Sequence, residues 1–355
     1  MDIIIDSSIP YIRLFAERIG ACTFLPASEI TPEAVREADA LIVRTRTRCD
    51  RSLLEGSRVQ FVATATIGFD HLDTEYLDRQ GIAWTNCPGC NASSVAQYVH
   101  GVLLRLALAG LLRLDGSTTI GIVGVGHVGT LVNNLCRRLG LRTLLCDPPR
   151  QMRGEKGFSP IGDVMQEADV ITFHVPLERD GAHPTYHMAG DTFFEELRNN
   201  SRCPVIVNSS RGEVVDTPSL IRALDDGAVR AAAIDTWEDE PNISTALLQR
   251  AILATPHIAG YSADGKAHAT KMSLEALALH FGLKETFKVL PPPLPPDYCY
   301  RPFGFEDSFA AHCPVPEGLQ FHPLLRFDPL RDTIVLKHHP ESFEAMRSRY
   351  PLRRE

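Results

Sequence analysis

The sequence has no long uninterrupted apolar run. The longest, Val99 to Leu114, is broken by Arg105 and Arg113, so it reads as a buried helix rather than a membrane span. At the N-terminus, Ile3-Ile4-Ile5 stands between Asp2 and Asp6, too short for the core of a secretion signal. An excess of positive charge is also missing. The net charge of −8 argues against nucleic acid as a partner, and binding an anion would require basic residues gathered locally. Nine cysteines form no paired framework: an odd number scattered through apolar segments fits free thiols, and a cytoplasmic protein is expected. Cys87-Pro88-Gly89-Cys90 has redox or zinc spacing, but no second ligand pair accompanies it, so a Pro-Gly turn is the preferred reading and no metal is expected.

What is present is an ordinary globular composition, 44% apolar and 23% charged, over 355 residues, enough for two or three domains. The chain is organised around Thr118 to Pro149. The β-branched run Thr119 to Val123 leads into Gly124-Val125-Gly126-His127-Val128-Gly129, then a helical pattern stopping at Gly140, then a second apolar run from Leu141 to Cys146. This is a strand, glycine turn, helix and strand. In a dinucleotide fold the first glycine makes the turn, the second admits a pyrophosphate and the third lets helix and sheet pack. Asp147 ends the second strand eighteen positions after Gly129, where a carboxylate accepts from a ribose diol and repels a 2′-phosphate, which favours NAD over NADP.

Before this unit, strands are expected at Ile3–Ile5, Ala40–Val43 and Phe61–Ala63, with a helix from Tyr11 to Ile19. The loops Arg44-Thr45-Arg46-Thr47-Arg48 and Thr64 to Gly68 follow strand ends, where open parallel sheets bind ligands. The alternating arginines suit either an anion site or a solvated edge. Beyond it, apolar runs end in His174, Asn208, Asp235 and Thr255, as buried parallel strands do. His174 at such an end either touches a cofactor or packs in its loop. Helical patterns at Asn91–Leu114 and Ser262–His280 carry the chain between domains. A Pro-rich linker, Leu290 to Pro296, precedes a tail with a strand expected at Thr333–Leu336 and a helix at Ser342–Arg349.

Three strand-end residues suit one piece of chemistry. Arg211 has the guanidinium fork to hold a carboxylate and stabilise negative charge on a forming carbonyl. His257 has an imidazole suited to taking a hydroxyl proton, and Glu240 suits the orientation of its far nitrogen.

The motifs Gly124 to Gly129, Ser210-Arg211-Gly212-Glu213-Val214-Val215-Asp216, Asp235 to Pro241 and Pro256-His257-Ile258-Ala259-Gly260 resemble those of the D-2-hydroxyacid dehydrogenases. The resemblance implies an α/β fold with two doubly wound parallel sheets: a Rossmann NAD domain, 94–258, inserted in a flavodoxin-like substrate domain, 1–93 with 259–285. A small α+β dimerisation domain, 286–355, would follow and make a homodimer. It implies NAD-linked oxidation of a phosphorylated 2-hydroxy acid, with Arg211, Glu240 and His257 catalytic. Gly124, Gly126, His127, Val128, Gly129, Asp147, His174, Val175, Ser209, Ser210, Asp235 and Gly260 would hold NAD. Arg44, Thr45, Thr66 and Tyr261 would hold substrate, with charge added by Arg353 or Arg354 of a second copy. The sequence departs from the family pattern at Phe69 and Val175, and at Thr45, which keeps its hydroxyl. Rival readings are another family member, such as a phosphoglycerate or glycerate dehydrogenase, and an NAD-sensing binding protein of the same fold.

Overall fold

The structure is a computed structural model, and it describes residues 1–199, 202–293, 329–350 and 352–354. The end of the Pro-rich linker lies outside the described residues. The chain divides into two compact units: 1–91 with 262–293 and Arg354, and 92–261 with 329–353.

In the first unit five parallel strands, β1 (Asp2–Asp6), β2 (Ala21–Leu25), β3 (Ala40–Val43), β4 (Phe61–Thr64) and β5 (Ala83–Thr85), lie in the order β2-β1-β3-β4-β5. The runs β3 and β4 are buried along their whole length, as expected for strands covered on both faces. The edge strands β2 and β5 escaped the sequence reading because they are only partly buried and carry no continuous apolar run. The helix expected over Tyr11–Ile19 shrinks to Arg13–Ala16, since Tyr11 adopts φ +63 and takes itself out of a helical start. Ser262 caps the long helix Ala263–His280 by accepting the Gly265 amide.

Cys87 to Cys90 is a turn, with the Cys90 amide donating to the Cys87 carbonyl and Gly89 at φ +76. Neither cysteine is in a disulfide, and burial pushes Cys87 up to about 11, which leaves it unreactive.

The second unit holds six parallel strands: β6 (Thr119–Val123), β7 (Arg142–Cys146), β8 (Val170–Phe173), β9 (Val205–Asn208), β10 (Ala231–Ile234) and β11 (Leu253–Ala254), in the order β11-β10-β9-β8-β6-β7. The order reverses at β6, so the crevice at its carboxyl end, between the β6 and β8 loops, is where a dinucleotide fold binds its ligand. The helix Ala92–Leu108 packs Tyr98, Val102 and Leu106 onto one side of the sheet.

The strand expected at Thr333–Leu336 is instead part of a helix, Pro329–His338. Burial there follows a helical rather than a strand period: Asp332, Thr333 and Leu336 are buried while Ile334 and Val335 face solvent. Thr333 keeps its hydroxyl satisfied against the Pro329 carbonyl one turn back. A short helix, Phe343–Ser348, follows, and Leu336 and Phe343 enter the hydrophobic core of this unit. Among the described residues, no helix is long and apolar enough to cross a membrane.

Candidate active site

The glycine turn is built as its spacing demands. Gly124 has φ +86, and a Cβ there would come within 2.7 Å of the His174 carbonyl and 2.8 Å of the Val175 side chain. A Cβ on Gly129 would overlap the Gly124 carbonyl oxygen, so the helix His127–Arg138 presses onto the turn. Gly126 differs: nothing lies within 4 Å of its Cβ position, leaving open space in front of a helix N-terminus. Gly126 and His127 are exposed, and Val128 packs partly into the core.

Asp147 stands at the end of β7. Its carboxylate accepts the Val125 amide at 2.8 Å and the Arg150 amide at 3.0 Å, tying this acid to the glycine turn. Arg150, the cation nearest in sequence, is spent on Glu155 through Nε at 2.8 Å and Nη2 at 2.5 Å and on the Val125 carbonyl. A 2′-phosphate placed beside Asp147 would therefore meet a carboxylate and a neutralised guanidinium.

At the end of β8, His174 Nε2 bonds the Thr172 hydroxyl at 3.0 Å, while Nδ1 is buried with no protein partner. Burial drops its imidazole to about 3, so the ring is neutral at physiological pH. Ser209 Oγ, after β9, is also buried without a partner, whereas Ser210 donates to Asn208 Oδ1 at 2.8 Å. An orphaned imidazole nitrogen, an orphaned hydroxyl and an open glycine at three neighbouring strand ends are the unfilled polar positions that a dinucleotide would satisfy.

The loops after β9 and β10 touch because Gly212 has no side chain: a Cβ there would overlap the Trp237 carbonyl. Arg211 immediately precedes it and donates from Nη1 to the Ser210 carbonyl at 2.9 Å. Three residues beyond Trp237, Glu240 takes the Trp237 amide on Oε1 at 2.9 Å and faces His257 Nδ1 at 3.1 Å from Oε1 and 2.8 Å from Oε2. Burial works to raise the Glu240 carboxyl, but the hydrogen bond and charge of His257, the Trp237 amide and Arg347 outweigh it and hold the group below its ordinary value.

His257 occupies the left-handed region, φ +54, pinned there by its amide donating to the Asp235 carbonyl at 2.8 Å. Asp235 is fully buried; it accepts the Ile258 and Ala259 amides at 2.8 and 2.9 Å and the Thr255 hydroxyl at 2.6 Å. Gly260 follows on the same loop, and Tyr261 shares the Arg347 guanidinium with Glu240.

The substrate residues expected in the first unit are Arg44, Thr45 and Thr66. Thr66 Oγ1 donates to the Gly68 carbonyl at 2.9 Å, so Thr64 must donate to Thr66 at 2.7 Å, and His71 Nε2 must donate to Thr64 at 2.9 Å. The only position left on the Thr66 hydroxyl is an acceptor, which suits a ligand hydroxyl. The alternating arginines divide: Arg48 is solvated and paired with Asp50 at 2.8 Å, whereas Arg44 lies near Lys266. Thr45 beside it is exposed. Lys266 drops to about 8 through burial and the Arg44 charge, and the sequence reading missed it. Its one signal was a lysine in the first turn of a capped helix following the His257 loop. Phe69 packs against Trp84 with the rings tilted by 42° and centroids 5.2 Å apart.

Arg353 and Arg354, expected to serve a second copy, are engaged within the chain. Arg353 donates to the carbonyls of Ser94 at 2.8 Å, Ile258 at 3.0 Å and Ala259, and Arg354 forks onto Asp264 at 2.7 and 2.9 Å.

Residues 110–259 match the family model of the D-isomer specific 2-hydroxyacid dehydrogenase NAD binding domain, which makes NAD the cofactor. The chain is 47% identical to an erythronate-4-phosphate dehydrogenase of Bacteroides fragilis over its full length and 97% of that protein. It is 38% identical to an enzyme of the same name from Yersinia pestis, again over its full length and 93% of the relative. The fold is shared with an NAD-bound 3-phosphoglycerate dehydrogenase from Entamoeba histolytica, at TM-score 0.67 and 23% identity over 81% of this chain and 97% of that one. It is shared also with a D-lactate dehydrogenase from Aquifex aeolicus, at TM-score 0.64 and 22% identity over 82% of this chain and 100% of that one. The chain therefore belongs to the erythronate-4-phosphate dehydrogenases, within the D-isomer specific 2-hydroxyacid dehydrogenase family.

Proposed function

We propose that the chain oxidises 4-phospho-D-erythronate at C2 with NAD, giving (R)-3-hydroxy-2-oxo-4-phosphooxybutanoate on the route to pyridoxal 5′-phosphate. The observation that carries this reading is the pairing of His257 Nδ1 with Glu240 Oε2 at 2.8 Å on adjoining strand-end loops of the NAD-binding sheet. With Nδ1–H committed to Glu240, Nε2 is the nitrogen that takes the C2 hydroxyl proton, and the carboxylate stabilises the imidazolium that forms. Arg211 holds the substrate carboxylate and draws charge onto the forming carbonyl oxygen.

Bound NAD supplies the hydride acceptor. The chain's part is to hold its pyrophosphate at Gly124 to Gly129, its ribose at Asp147, and its nicotinamide side with His174, Val175, Ser209, Ser210, Asp235 and Gly260. Arg44 with Lys266 supports recognition of the phosphate, since two cations brought together lose their mutual repulsion when an anion joins them. Thr45, Thr66 and Tyr261 bind the remaining oxygens. We further propose a cytoplasmic homodimer whose substrate domain is 1–93 with 259–285, whose NAD domain is 94–258, and whose dimerisation segment is 286–355.

A substrate panel tests the reading. NADH formation is measured with 4-phosphoerythronate, 3-phosphoglycerate, glycerate and lactate. Preference for the first compound is expected. Preference for another of the four would assign the chain to a different branch, and NAD binding without any turnover would make it a sensor.

A further inference from the structure

The C-terminal helix Phe343–Ser348 carries a cation into the proton-transfer pair. Arg347 Nη1 lies 3.3 Å from Glu240 Oε2, the same oxygen that faces His257 Nδ1 at 2.8 Å. The Arg347 side chain is 27% exposed, and its guanidinium also hydrogen-bonds Tyr261. Packing fixes the face this helix presents. Phe343 is buried in the core and Met346 packs against it, and one helical turn on from Phe343 the same face presents Arg347.

The rest of the tail fastens itself to β11 and to the loop that bears His257 without using Arg347. Thr333 Oγ1 accepts the Ala254 amide at 2.7 Å, Arg353 holds the Ile258 and Ala259 carbonyls, and the Tyr350 ring meets Tyr261 edge-on at 6.5 Å. Three anchors already secure the segment, so a buried fourth contact between unlike charges is not needed for docking. We propose that Arg347 is a positioning residue of the proton-transfer pair, fixing the Glu240 carboxylate for His257 and tying Tyr261 to the same guanidinium. This rests on the assignment of Glu240 and His257 as that pair.

The electrostatic consequence has a definite sign. The charged and titratable groups around the pair are Glu240, from the loop after β10, and Asp235, from the end of β10, which act on His257, and Tyr261 and Glu344, which act on Arg347. Arg347 competes with an imidazolium at His257 for one carboxylate oxygen. Removing the cation therefore makes protonation of His257 easier.

The test uses the full-length chain as wild type, Arg347→Gln, Arg347→Met and Arg347→Lys. His257 is titrated by NMR without substrate, its resonance assigned by its absence from His257→Asn. Both neutral variants are expected to move the midpoint up by about half a pH unit or more, while lysine stays near the wild type. The acid limb of kcat/KM for 4-phosphoerythronate should move in the same direction. Using two neutral variants keeps a folding defect in one of them from standing in for an answer. An unmoved midpoint in the folded neutral variants, with rates merely scaled, would overturn the proposal and leave Arg347 a docking residue. A moved midpoint in a chain that turns over no 2-hydroxy acid would leave the pairing standing and remove the proposed substrate.

Discussion

The carboxylate of Asp235 suspends the loop that carries His257: Oδ1 accepts the Ile258 amide at 2.8 Å and Oδ2 accepts the Ala259 amide at 2.9 Å, all of it buried. The end of β10 thus sets the position of a residue that arrives after β11. Asp235→Ala would leave two buried amides without acceptors, at about 1–3 kcal/mol each. A loss of unfolding free energy of that order, read from urea denaturation, is expected, together with a loss of kcat because His257 sits on slack backbone. An alanine variant with full stability and full kcat would mean the loop is held by something else.

Two glycines of one motif should fail in different ways. Gly126→Ala meets open space, so thermal unfolding should be unchanged while NAD affinity falls at least about tenfold, since a methyl group intrudes where backbone must approach a pyrophosphate. Gly129→Ala overlaps the Gly124 carbonyl oxygen and should lower both Tm and affinity. Calorimetric titration with NAD and thermal denaturation separate the two, and identical behaviour would contradict the assignment of Gly126 to the cofactor.

His174 predicts a pH dependence of stability. Its folded-state imidazole is lowered to about 3 by burial, against about 6.5 in an unfolded chain. The unfolded state therefore binds the extra proton first. Stability is lost as pH falls below about 6.5, by up to about 1.4 kcal/mol per pH unit from this group, until the folded form also protonates near 3. Replacing it by His174→Asn should flatten the stability curve between those limits. An equally steep curve in the variant would place the titration on other groups.

Much of this site was legible because its parts are local. The glycine spacing, the β-branched run before it and Asp147 after it lie within one strand, helix and strand unit, and the buried strands announce themselves as apolar runs ending in polar residues. Arg211, Glu240 and His257 were visible as residue types at such ends. Arg347 was not, because its partner is more than a hundred positions away and such pairing leaves no trace in local periodicity. The spacing of Phe343, Met346 and Arg347 on one helical face was the available clue. Thr333-Ile-Val-Leu read as a strand on β-branched composition, and the tertiary choice of which residues to bury made it a helix. Likewise Arg353 looked like a charge to offer outward, yet it stitches the chain's own carbonyls.

The central claim is that His257, oriented by Glu240, moves the hydroxyl proton of the substrate. It is tested most directly by kcat for NADH formation from 4-phosphoerythronate in wild type and His257→Ala, with NAD affinity measured alongside. A fall in kcat of roughly 10²–10⁴-fold with NAD affinity retained is expected. Turnover by the alanine variant at close to the wild-type rate would contradict it.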